Sequence, residues 1–407
     1  MEKVLIIDEY YQPSIGYQPF FLAKALKKKG YDVSVVTSDR FFPFSDYELT
    51  FKDVLGTRIR GVGVSIERDI RTVRLPILFE YAKSTVLLIK GFKRTFETEK
   101  PDLILACNAF TPCSFQIAQA VSGLKKKPVL IFDSHASTFN TDIDDSFLKK
   151  LYITIFRHFL SKTIVRNASL FAPIGSSEEY LLKKVFPSPI TTQVVPLGAD
   201  TSVFVTNNDI RTQVRKRLSL QDDDIVIIYA GKISPNKDID TLLNSFIKLS
   251  ERNSRVKLVL IGSGNDQYMT QLKNQINKAR CKKSILWIDF VKNQELVNYY
   301  NAADIGIWPG NLSNTIQEAM ATGLPVILPK NVSESQTTDH LAMNEAAVQF
   351  ARGDILDLSN KMIRLVEDQK ERELRSKNCY NLIRTKYSWD VIAEQYLALY
   401  RQHRKQQ

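Results

Sequence analysis

Two lysines lie in a short segment, residues 231–237, that directly follows an apolar run at 225–230. The run has the length and composition of a buried strand, and the segment after it contains the glycine and proline of a strand-to-helix loop. Ammonium groups on such a loop can both contact a diphosphate and offset its negative charge. We therefore predict that Lys232 and Lys237 bind a phosphorylated ligand.

Further candidate ligands for a nucleotide lie downstream of these lysines. Gly262 begins a glycine turn after the apolar run 256–261, and such a turn lets the backbone approach a ligand closely. A predicted helix starts at residues 314–316, where free backbone amides and the positive end of the helix dipole can hold a phosphate. Glu318, about one turn into that helix, can accept hydrogen bonds from ribose hydroxyls.

The elements that must position these residues follow a repeated pattern, in which short apolar runs alternate with helical periodicity. This alternation predicts an α/β fold with parallel, doubly wound sheets, and in such sheets ligands bind beyond the carboxyl ends of the strands. The predicted strands lie at 4–7, 33–36, 103–105 and 129–132 in the first half, and at 225–230, 256–261, 285–288, 305–308 and 325–328 in the second.

A length of 407 residues favours two domains, and the strand pattern restarts after a polar stretch. We predict two Rossmann-like domains that face one another across a cleft. Their predicted bounds are 1–200 for the first domain, 201–223 for a linker, 224–386 for the second domain and 387–407 for a C-terminal helix.

Composition excludes several other classes of function. The net charge of +12 is shared evenly between the two halves, and no basic block is interleaved with aromatic residues, so a nucleic-acid partner is not expected. The four cysteines and four histidines form no disulfide or zinc pattern, so no metal is expected. No signal peptide or membrane-spanning run is evident, which predicts a cytoplasmic protein.

Taken in order, these motifs resemble the donor domain of the GT-B retaining glycosyltransferases of glycosyltransferase family 4, the glycosyl transferases group 1. The opening loop at 10–16 and the closing segment at 387–389 are similar to those of the same family. The resemblance in the second half is carried by Gly231-Lys232 with Lys237, the glycine turn at 262–264, Phe290-Val291 and the segment at 318–326.

The resemblance implies a retaining, metal-independent transferase of the hexosyltransferase type. Its donor substrate would be a nucleotide diphosphate sugar, and it would need no cofactor. The acceptor would be a saccharide or a lipid-linked molecule in polysaccharide, lipopolysaccharide or glycolipid biosynthesis. The first domain would bind the acceptor, the second would bind the donor, and the C-terminal helix would cross back to the first domain.

The resemblance also assigns roles to individual residues. Phe290 and Val291 would lie beside the base, and Glu318 would bind the ribose. Gly16 would lie near the phosphate and the acceptor, and His135, just after an apolar strand, would contact the sugar near its reacting carbon. Lys232 and Lys237 would act on the diphosphate, and the donor-binding set would be completed by Gly231, Gly262, Asn314, Thr315 and Ile316.

The chain departs from the family pattern at the sugar end of the donor site. The family usually has two glutamates eight positions apart, but Gly310 stands eight positions before Glu318, so one carboxylate is missing. Two alternatives therefore stay open: a GT-B nucleotide-sugar epimerase, and a catalytically weak scaffold that binds a nucleotide sugar. A Rossmann dehydrogenase is disfavoured, because no G-x-G-x-x-G follows the first strand.

One segment of the first half carries basic residues and no acid. Between residues 147 and 167, apolar side chains recur at near-helical spacing, with lysine and arginine on other faces. The pattern fits a helix that packs on the core with a solvated basic side. It also fits a surface that binds an anionic membrane, which would place the protein peripherally on the inner face of the plasma membrane.

Overall fold

The structure is a computed structural model that describes residues 1–14, 17–44, 47–48, 52–81, 86–136, 147–333 and 336–405. The chain divides into two compact units, one formed by Met1–Leu197 with Ile392–Gln407 and the other by Gly198–Val391. Each unit has its own sheet and its own apolar core, and each is described by itself below.

The first unit contains a seven-stranded sheet with the order β3-β4-β2-β1-β7-β8-β9, and β3 is its antiparallel edge strand. Its strands are β1 (Lys3–Ile7), β2 (Asp32–Ser38), β3 (Gly63–Glu67), β4 (Ile70–Leu75), β5 (Ile77–Tyr81), β6 (Val86–Ile89), β7 (Leu103–Ala106), β8 (Val129–Ser134) and β9 (Leu170–Pro173). Its helices are α1 (Gln18–Lys28), α2 (Lys52–Leu55), α3 (Phe92–Glu99), α4 (Pro112–Ser122), α5 (Phe147–Ile155), α6 (Ser161–Asn167) and α7 (Ser176–Val185).

Strand β1 lies in the middle of this sheet because its side chains are apolar on both faces. It pairs in parallel with β2 on one side and with β7 on the other. Residues 4–7 are all buried, as expected for a central strand of a parallel sheet. A separate antiparallel hairpin is formed by β5 and β6.

The second unit contains a six-stranded, fully parallel sheet with the order β12-β11-β10-β13-β14-β17. The strands of the unit are β10 (Ile225–Ala230), β11 (Val256–Ile261), β12 (Ile285–Ile288), β13 (Ile305–Ile307), β14 (Val326–Pro329), β15 (Asn331–Ser333), β16 (Gln336–Thr337) and β17 (Val348–Phe350). Its helices are α8 (Asn208–Arg217), α9 (Ile239–Ser250), α10 (Asp266–Lys278), α11 (Leu296–Ala302), α12 (Asn314–Ala321), α13 (Asp339–Ala342), α14 (Ile355–Glu367) and α15 (Gln369–Leu382).

The strand order of the second unit determines which loops meet. Because β12, β11, β10 and β13 are neighbours and parallel, the loops that follow them leave the same edge of the sheet. Those four loops carry the glycines, lysines and aromatic residue predicted to bind the donor. The chain order reverses on either side of β10, which is where ligands bind in open α/β sheets.

The segment at 201–223 differs from the irregular linker that its polar sequence predicts. It belongs to the second unit and contains helix α8. The side chain of Asn207 caps the helix by accepting a hydrogen bond from the Ile210 amide. Arg211 and Arg215 then bind Asp304 through ion pairs of 2.7 and 3.4 Å. The charged residues of this segment thus attach a helix to the unit instead of extending into solvent.

Helix α16 (Trp389–Arg404) closes the chain, and from Ile392 onward it belongs to the first unit, as the predicted crossover requires. Glu394 forms an ion pair with Lys29 at 3.1 Å, and the Tyr400 hydroxyl donates to Glu2 at 3.1 Å. The α/β fold class with parallel sheets is confirmed. Among the described residues, every helix is too short or too polar to cross a bilayer.

Candidate active site

The lysine loop, residues 231–238, follows β10 and carries both predicted lysines. Lys232 is exposed, and its backbone carbonyl accepts a 2.8 Å hydrogen bond from the Tyr229 hydroxyl. The chain then makes a short helical turn at Pro235–Lys237 before α9 begins. One lysine is therefore presented to solvent, and the other is turned back against the protein.

Lys237 is fixed by the neighbouring loop. Its Nζ donates to the carbonyl oxygens of Asn311 at 2.8 Å and Leu312 at 2.9 Å. An ammonium group has three hydrogens, so these bonds leave one for a ligand. Burial, with a contribution from the nearby charge of Lys232, lowers the pKa of Lys237 to about 8. The ammonium group of Lys237 is thus held in one orientation, and the two carbonyl groups balance its positive charge only in part.

Gly310 lies where the loop that follows β13 contacts the lysine loop. A Cβ added there would lie 2.5 Å from the Lys237 carbonyl carbon and 2.6 Å from the Asn236 carbonyl oxygen. The Asn311 amide donates to that same Asn236 carbonyl at 3.0 Å. A glutamate could therefore not be placed at this position without moving the lysine loop. The backbone of the lysine loop occupies the space that its side chain would need to begin in.

Gly262 permits a second close approach, between the ends of β10 and β11. Its φ is +140°, and a Cβ there would overlap the carbonyl oxygen of Gly231. The Gly231 amide donates to Ile261 at 3.0 Å, and the Gly262 amide donates to Ile288 at 3.0 Å. These bonds extend the sheet pairing beyond the strands and align the three loops.

Helix α12 begins at Asn314, next to the lysine loop. The N-cap residue, Ser313, makes no capping hydrogen bond with its side chain, and Asn314 is exposed. The amides of Asn314 and Thr315 stand at the first helical positions, where the helix itself offers no acceptor. The Ile316 amide, also predicted to bind phosphate, donates to the Ser313 carbonyl at 3.1 Å. The Thr315 hydroxyl donates to the Ala230 carbonyl at 2.9 Å, so its side chain fastens α12 to the end of β10.

Glu318 is buried inside α12 and has a partner that the sequence does not single out. Asn293 Nδ2 donates to both carboxylate oxygens, at 2.8 and 3.0 Å. Burial raises the pKa of Glu318 to about 7, and the charge of Asp200 adds to the rise. One buried atom near this carboxylate, Asn293 Oδ1, has no hydrogen-bond partner among the described residues. A ligand rich in hydroxyl groups can satisfy such an atom.

Phe290 and Val291 follow β12 at the same edge of the sheet. The Phe290 side chain is 57% exposed, which leaves its ring open to stack on a planar ligand. Val291 is partly buried and packs against the core of the unit. The loop next leads to Asn293, so the base-side and ribose-side candidates come from one short segment.

The first unit carries the predicted histidine. His135 follows β8, and its Nε2 lies 3.6 Å from Asp133 Oδ2. Burial lowers the pKa of His135, but Asp133, Asp8 and Glu178 together outweigh it, so that the pKa is raised. Burial raises the pKa of Asp8 to about 6. Gly16, the other candidate in this unit, lies outside the described residues.

Comparison with known families resolves what the second unit is. Residues 210–382 match the family described as glycosyl transferases group 1. This segment is therefore similar to the group 1 glycosyltransferases. The lysine loop, the Gly262 turn, Phe290 and Glu318 all lie within this glycosyltransferase domain.

Relatives of known name extend the similarity beyond the glycosyltransferase domain. The capsular polysaccharide biosynthesis glycosyltransferase CapM of Staphylococcus aureus is 23% identical over 92% of this chain and 91% of its own. The UDP-Gal:alpha-D-GlcNAc-diphosphoundecaprenol alpha-1,3-galactosyltransferase of Escherichia coli is 25% identical over 75% and 76%. The lipopolysaccharide 1,2-N-acetylglucosaminetransferase of Salmonella typhimurium is 27% identical, but the match spans only about half of either chain, 50% and 54%.

A solved structure shows the same fold over nearly the whole length. HepE of Anabaena, determined in complex with UDP, matches with a TM-score of 0.70 at 14% identity and covers 98% of this chain and 99% of its own. The GT-B fold predicted from the motifs is confirmed at this level. The relatives with transferase names favour sugar transfer over the epimerase alternative.

We predict that replacing Gly310 with alanine destabilises the glycosyltransferase domain. The added methyl group cannot fit without separating the two loops, because its neighbours are backbone atoms 2.5 to 2.7 Å away. Overpacking of this kind costs about 1–3 kcal/mol of unfolding free energy. Urea unfolding monitored by tryptophan fluorescence measures the change.

Gly123→Ala is the matched control for this substitution. A Cβ at Gly123 would meet its nearest neighbour, the flexible end of Lys93, at an ordinary 3.5 Å. The control should change the unfolding free energy by less than about 0.5 kcal/mol. Equal stability of the Gly310→Ala protein and the wild type would contradict the close approach of the loops.

Proposed function

We propose that the protein is a retaining glycosyltransferase that moves a sugar from a nucleotide diphosphate sugar to a saccharide or lipid-linked acceptor in polysaccharide or glycolipid biosynthesis. The observation that carries the proposal is the arrangement at one edge of the glycosyltransferase domain. There, a loop with two lysines adjoins the open N-terminus of α12, and a buried glutamate lies one turn inside that helix.

The diphosphate would be bound by the cations and amides of this edge. When the bond between the anomeric carbon and the diphosphate breaks, negative charge grows on the leaving oxygen. Lys237 and the amides of Asn314 and Thr315 supply positive charge and hydrogen bonds that are already oriented, and the exposed Lys232 adds a second positive charge. We propose that they do so without a metal ion, since the cations can stabilise the leaving diphosphate themselves.

The nucleoside would occupy the other end of the same edge. The exposed ring of Phe290 offers a stacking surface for a base, beside Val291. Glu318 would accept hydrogen bonds from the ribose hydroxyls, with Asn293 holding its carboxylate in place. Hydroxyl groups that donate to a carboxylate favour its charged form. Since the pKa of Glu318 is about 7, a bound ribose would increase the ionised fraction of Glu318 near neutral pH.

By the family resemblance, His135 would contact the sugar near its reacting carbon, and Gly16 would lie near the phosphate and the acceptor. In the transfer step, the acceptor oxygen bonds to the anomeric carbon as the bond to the diphosphate breaks. The acceptor's hydroxyl proton is released, and the nucleotide diphosphate leaves as an anion. Retention means that the new bond forms on the face of the sugar from which the diphosphate departs. The family resemblance and the names of the relatives support this reading.

We predict retention and metal independence in a reaction that needs no identified acceptor, namely slow transfer to water. The protein is incubated with UDP-glucose, UDP-galactose or UDP-N-acetylglucosamine, and the released sugar is followed by proton NMR before it mutarotates. The first anomer observed should be the α-anomer of the donor, and EDTA should leave the rate unchanged. The β-anomer would contradict retention, and loss of the activity with EDTA would contradict metal independence.

Two lysine variants make this assay specific for the proposed site. Lys237→Met should lower the turnover number about 100-fold or more, because a positioned electrostatic group is removed from the leaving diphosphate. Lys248→Met removes an exposed lysine on α9 of the same unit and should leave turnover unchanged. Equal effects of the two substitutions would remove Lys237 from the site.

We also propose that the segment at 147–167 contacts an anionic membrane. It folds as α5, a π-helical turn at Phe156–Leu160 and α6. Tyr152 and Phe156 face the protein, and the Tyr152 hydroxyl donates to the Phe110 carbonyl at 2.8 Å. The core-facing helix expected from the apolar spacing is therefore present, but it accounts for only part of the apolar side chains.

The remaining apolar side chains form an exposed stripe at a spacing of four residues. The exposed fractions are 79% for Phe147, 44% for Leu151, 43% for Ile155 and 73% for Phe159. In an α-helix each step of four residues turns about 40° too far to stay in line. The wider π turn rotates less per residue, which brings Phe159 back towards the line of the other three.

Positive charge accompanies this stripe. Lys150, Arg157, Lys162 and Arg166 are all exposed, and Arg157 is fixed by bonds to the carbonyls of Lys184 and Val185. Each basic side chain near an anionic bilayer contributes about 1 kcal/mol to binding. Apolar side chains flanked by cations are typical of a surface that inserts shallowly between lipid head groups.

We predict that the wild-type protein floats with vesicles of phosphatidylglycerol and phosphatidylcholine at low salt. The double variant Phe147→Ser/Phe159→Ser should lose most of this binding, because two exposed aromatic anchors are removed. The double variant Leu356→Ser/Leu374→Ser removes two apolar side chains that are similarly exposed in the second unit and should float like the wild type. A wild-type protein that stays wholly in solution would contradict membrane binding.

A further inference from the structure

A buried carboxylate lies directly behind His135. Asp133, the second-last residue of strand β8 and two positions before the histidine, is 6% exposed. Its Oδ1 accepts a 3.1 Å hydrogen bond from the Asn108 amide, and its Oδ2 lies 3.6 Å from His135 Nε2. One oxygen is thus fixed by the backbone, and the other faces the imidazole.

The second oxygen of Asp133 is also held, by a side chain from another element. Gln18 on α1 donates one amide hydrogen to Asp133 Oδ2 at 3.2 Å. Its other amide hydrogen is donated to the Tyr396 hydroxyl on α16, also at 3.2 Å. All three side chains are buried, so the bonds are shielded from water. The carboxylate position therefore depends on β8, α1 and α16 together.

We propose that Asp133 is a positioning residue that sets the orientation and charge of His135, and that Gln18 and Tyr396 hold Asp133 in the geometry this requires. The inference rests on the proposed function, in which His135 contacts the sugar. An ionised carboxylate beside Nε2 favours a proton on that nitrogen and limits rotation of the ring. The ring is then presented to the substrate in one orientation.

The electrostatics of the neighbourhood agree with this arrangement. Although burial opposes the charged imidazolium, Asp133, Asp8 and Glu178 together outweigh it, and Asp133 makes the largest contribution to the raised pKa of His135. Among the described residues, the other charged groups that face the imidazole are Asp8, directly after β1, and Glu178, on α7. Both are carboxylates, so removal of Asp133 alone leaves the direction of their effect unchanged.

The test is the titration of His135 by NMR in the full-length protein, without substrate. The His135 signal is assigned by its loss in His135→Gln, and His158, His340 and His403 serve as internal references. Asp133→Asn keeps the size of the side chain and removes its charge. It should lower the pKa of His135 and leave the three reference histidines unchanged, because the main cause of the raised pKa is gone.

Tyr396→Phe is the second variant, since it removes the hydroxyl that orients Gln18 and keeps the packing of α16. It should also lower the pKa of His135, but by less than Asp133→Asn does. An unchanged His135 titration in both variants would overturn the proposal, whatever their activity.

Kinetics separate this inference from the proposed function. If both hold, Asp133→Asn lowers kcat/KM about ten-fold or more, and the limb of the pH profile that reports His135 moves to lower pH. A lowered histidine pKa with unchanged kcat/KM and pH profile would support the coupling of Asp133 to His135. That result would contradict the proposed role of His135 at the sugar.

Discussion

The contact between the lysine loop and the loop after β13 is the constraint on which the donor-side arrangement depends. Lys237 donates to the carbonyls of Asn311 and Leu312, and the Asn311 amide returns a bond to Asn236. The backbones can approach this closely only because position 310 has no side chain. The contact draws a partly buried cation, Lys237, to the start of α12, so charge and open amides face the same place.

Burial has opposite effects on the two kinds of ionisable group in this protein. It lowers the pKa of Lys237 to about 8 and raises the pKa of Glu318 to about 7. Both groups therefore titrate near neutral pH, where binding of an anion or of hydroxyl donors can shift their protonation. In the first unit the carboxylate of Asp133 has the opposite effect to burial and favours the charged form of His135.

The sequence predicts the scaffold well because apolar runs have few alternatives to central strands. Strands such as Ile225–Ala230 and Val256–Ile261 match their apolar runs, and the lysine loop follows the first of them as predicted. Partners that lie far apart in the chain could not be predicted. Asn293 meets Glu318 across 25 residues, and Gln18 meets Tyr396 across 378. Neither pair leaves a periodic signal in the sequence, because the topology alone brings the two residues together.

Gly310 illustrates a subtler limit of sequence comparison. The missing glutamate predicts an altered sugar site, but only the structure shows that the lysine loop fills the space. The polar segment at 201–223, before β10, gives a wrong prediction of another kind. Its charged residues suggest an exposed linker, whereas Arg215 is buried and bound to Asp304. In both cases the deciding interaction is a specific three-dimensional contact, which composition and spacing do not encode.

The most direct test of the account is the affinity for UDP, measured by calorimetry at several pH values between about 7 and 9. Lysine is cationic below its pKa, and a bound diphosphate favours the cation, so UDP affinity should fall as pH rises through about 8. Lys237→Met should bind UDP more weakly at neutral pH, and the difference in affinity between the two proteins should narrow as pH rises above about 8, where the wild-type lysine begins to lose its charge. Comparison of the two proteins at each pH cancels the ionisation of UDP itself. Equal UDP affinities of the two proteins throughout this range would contradict the account.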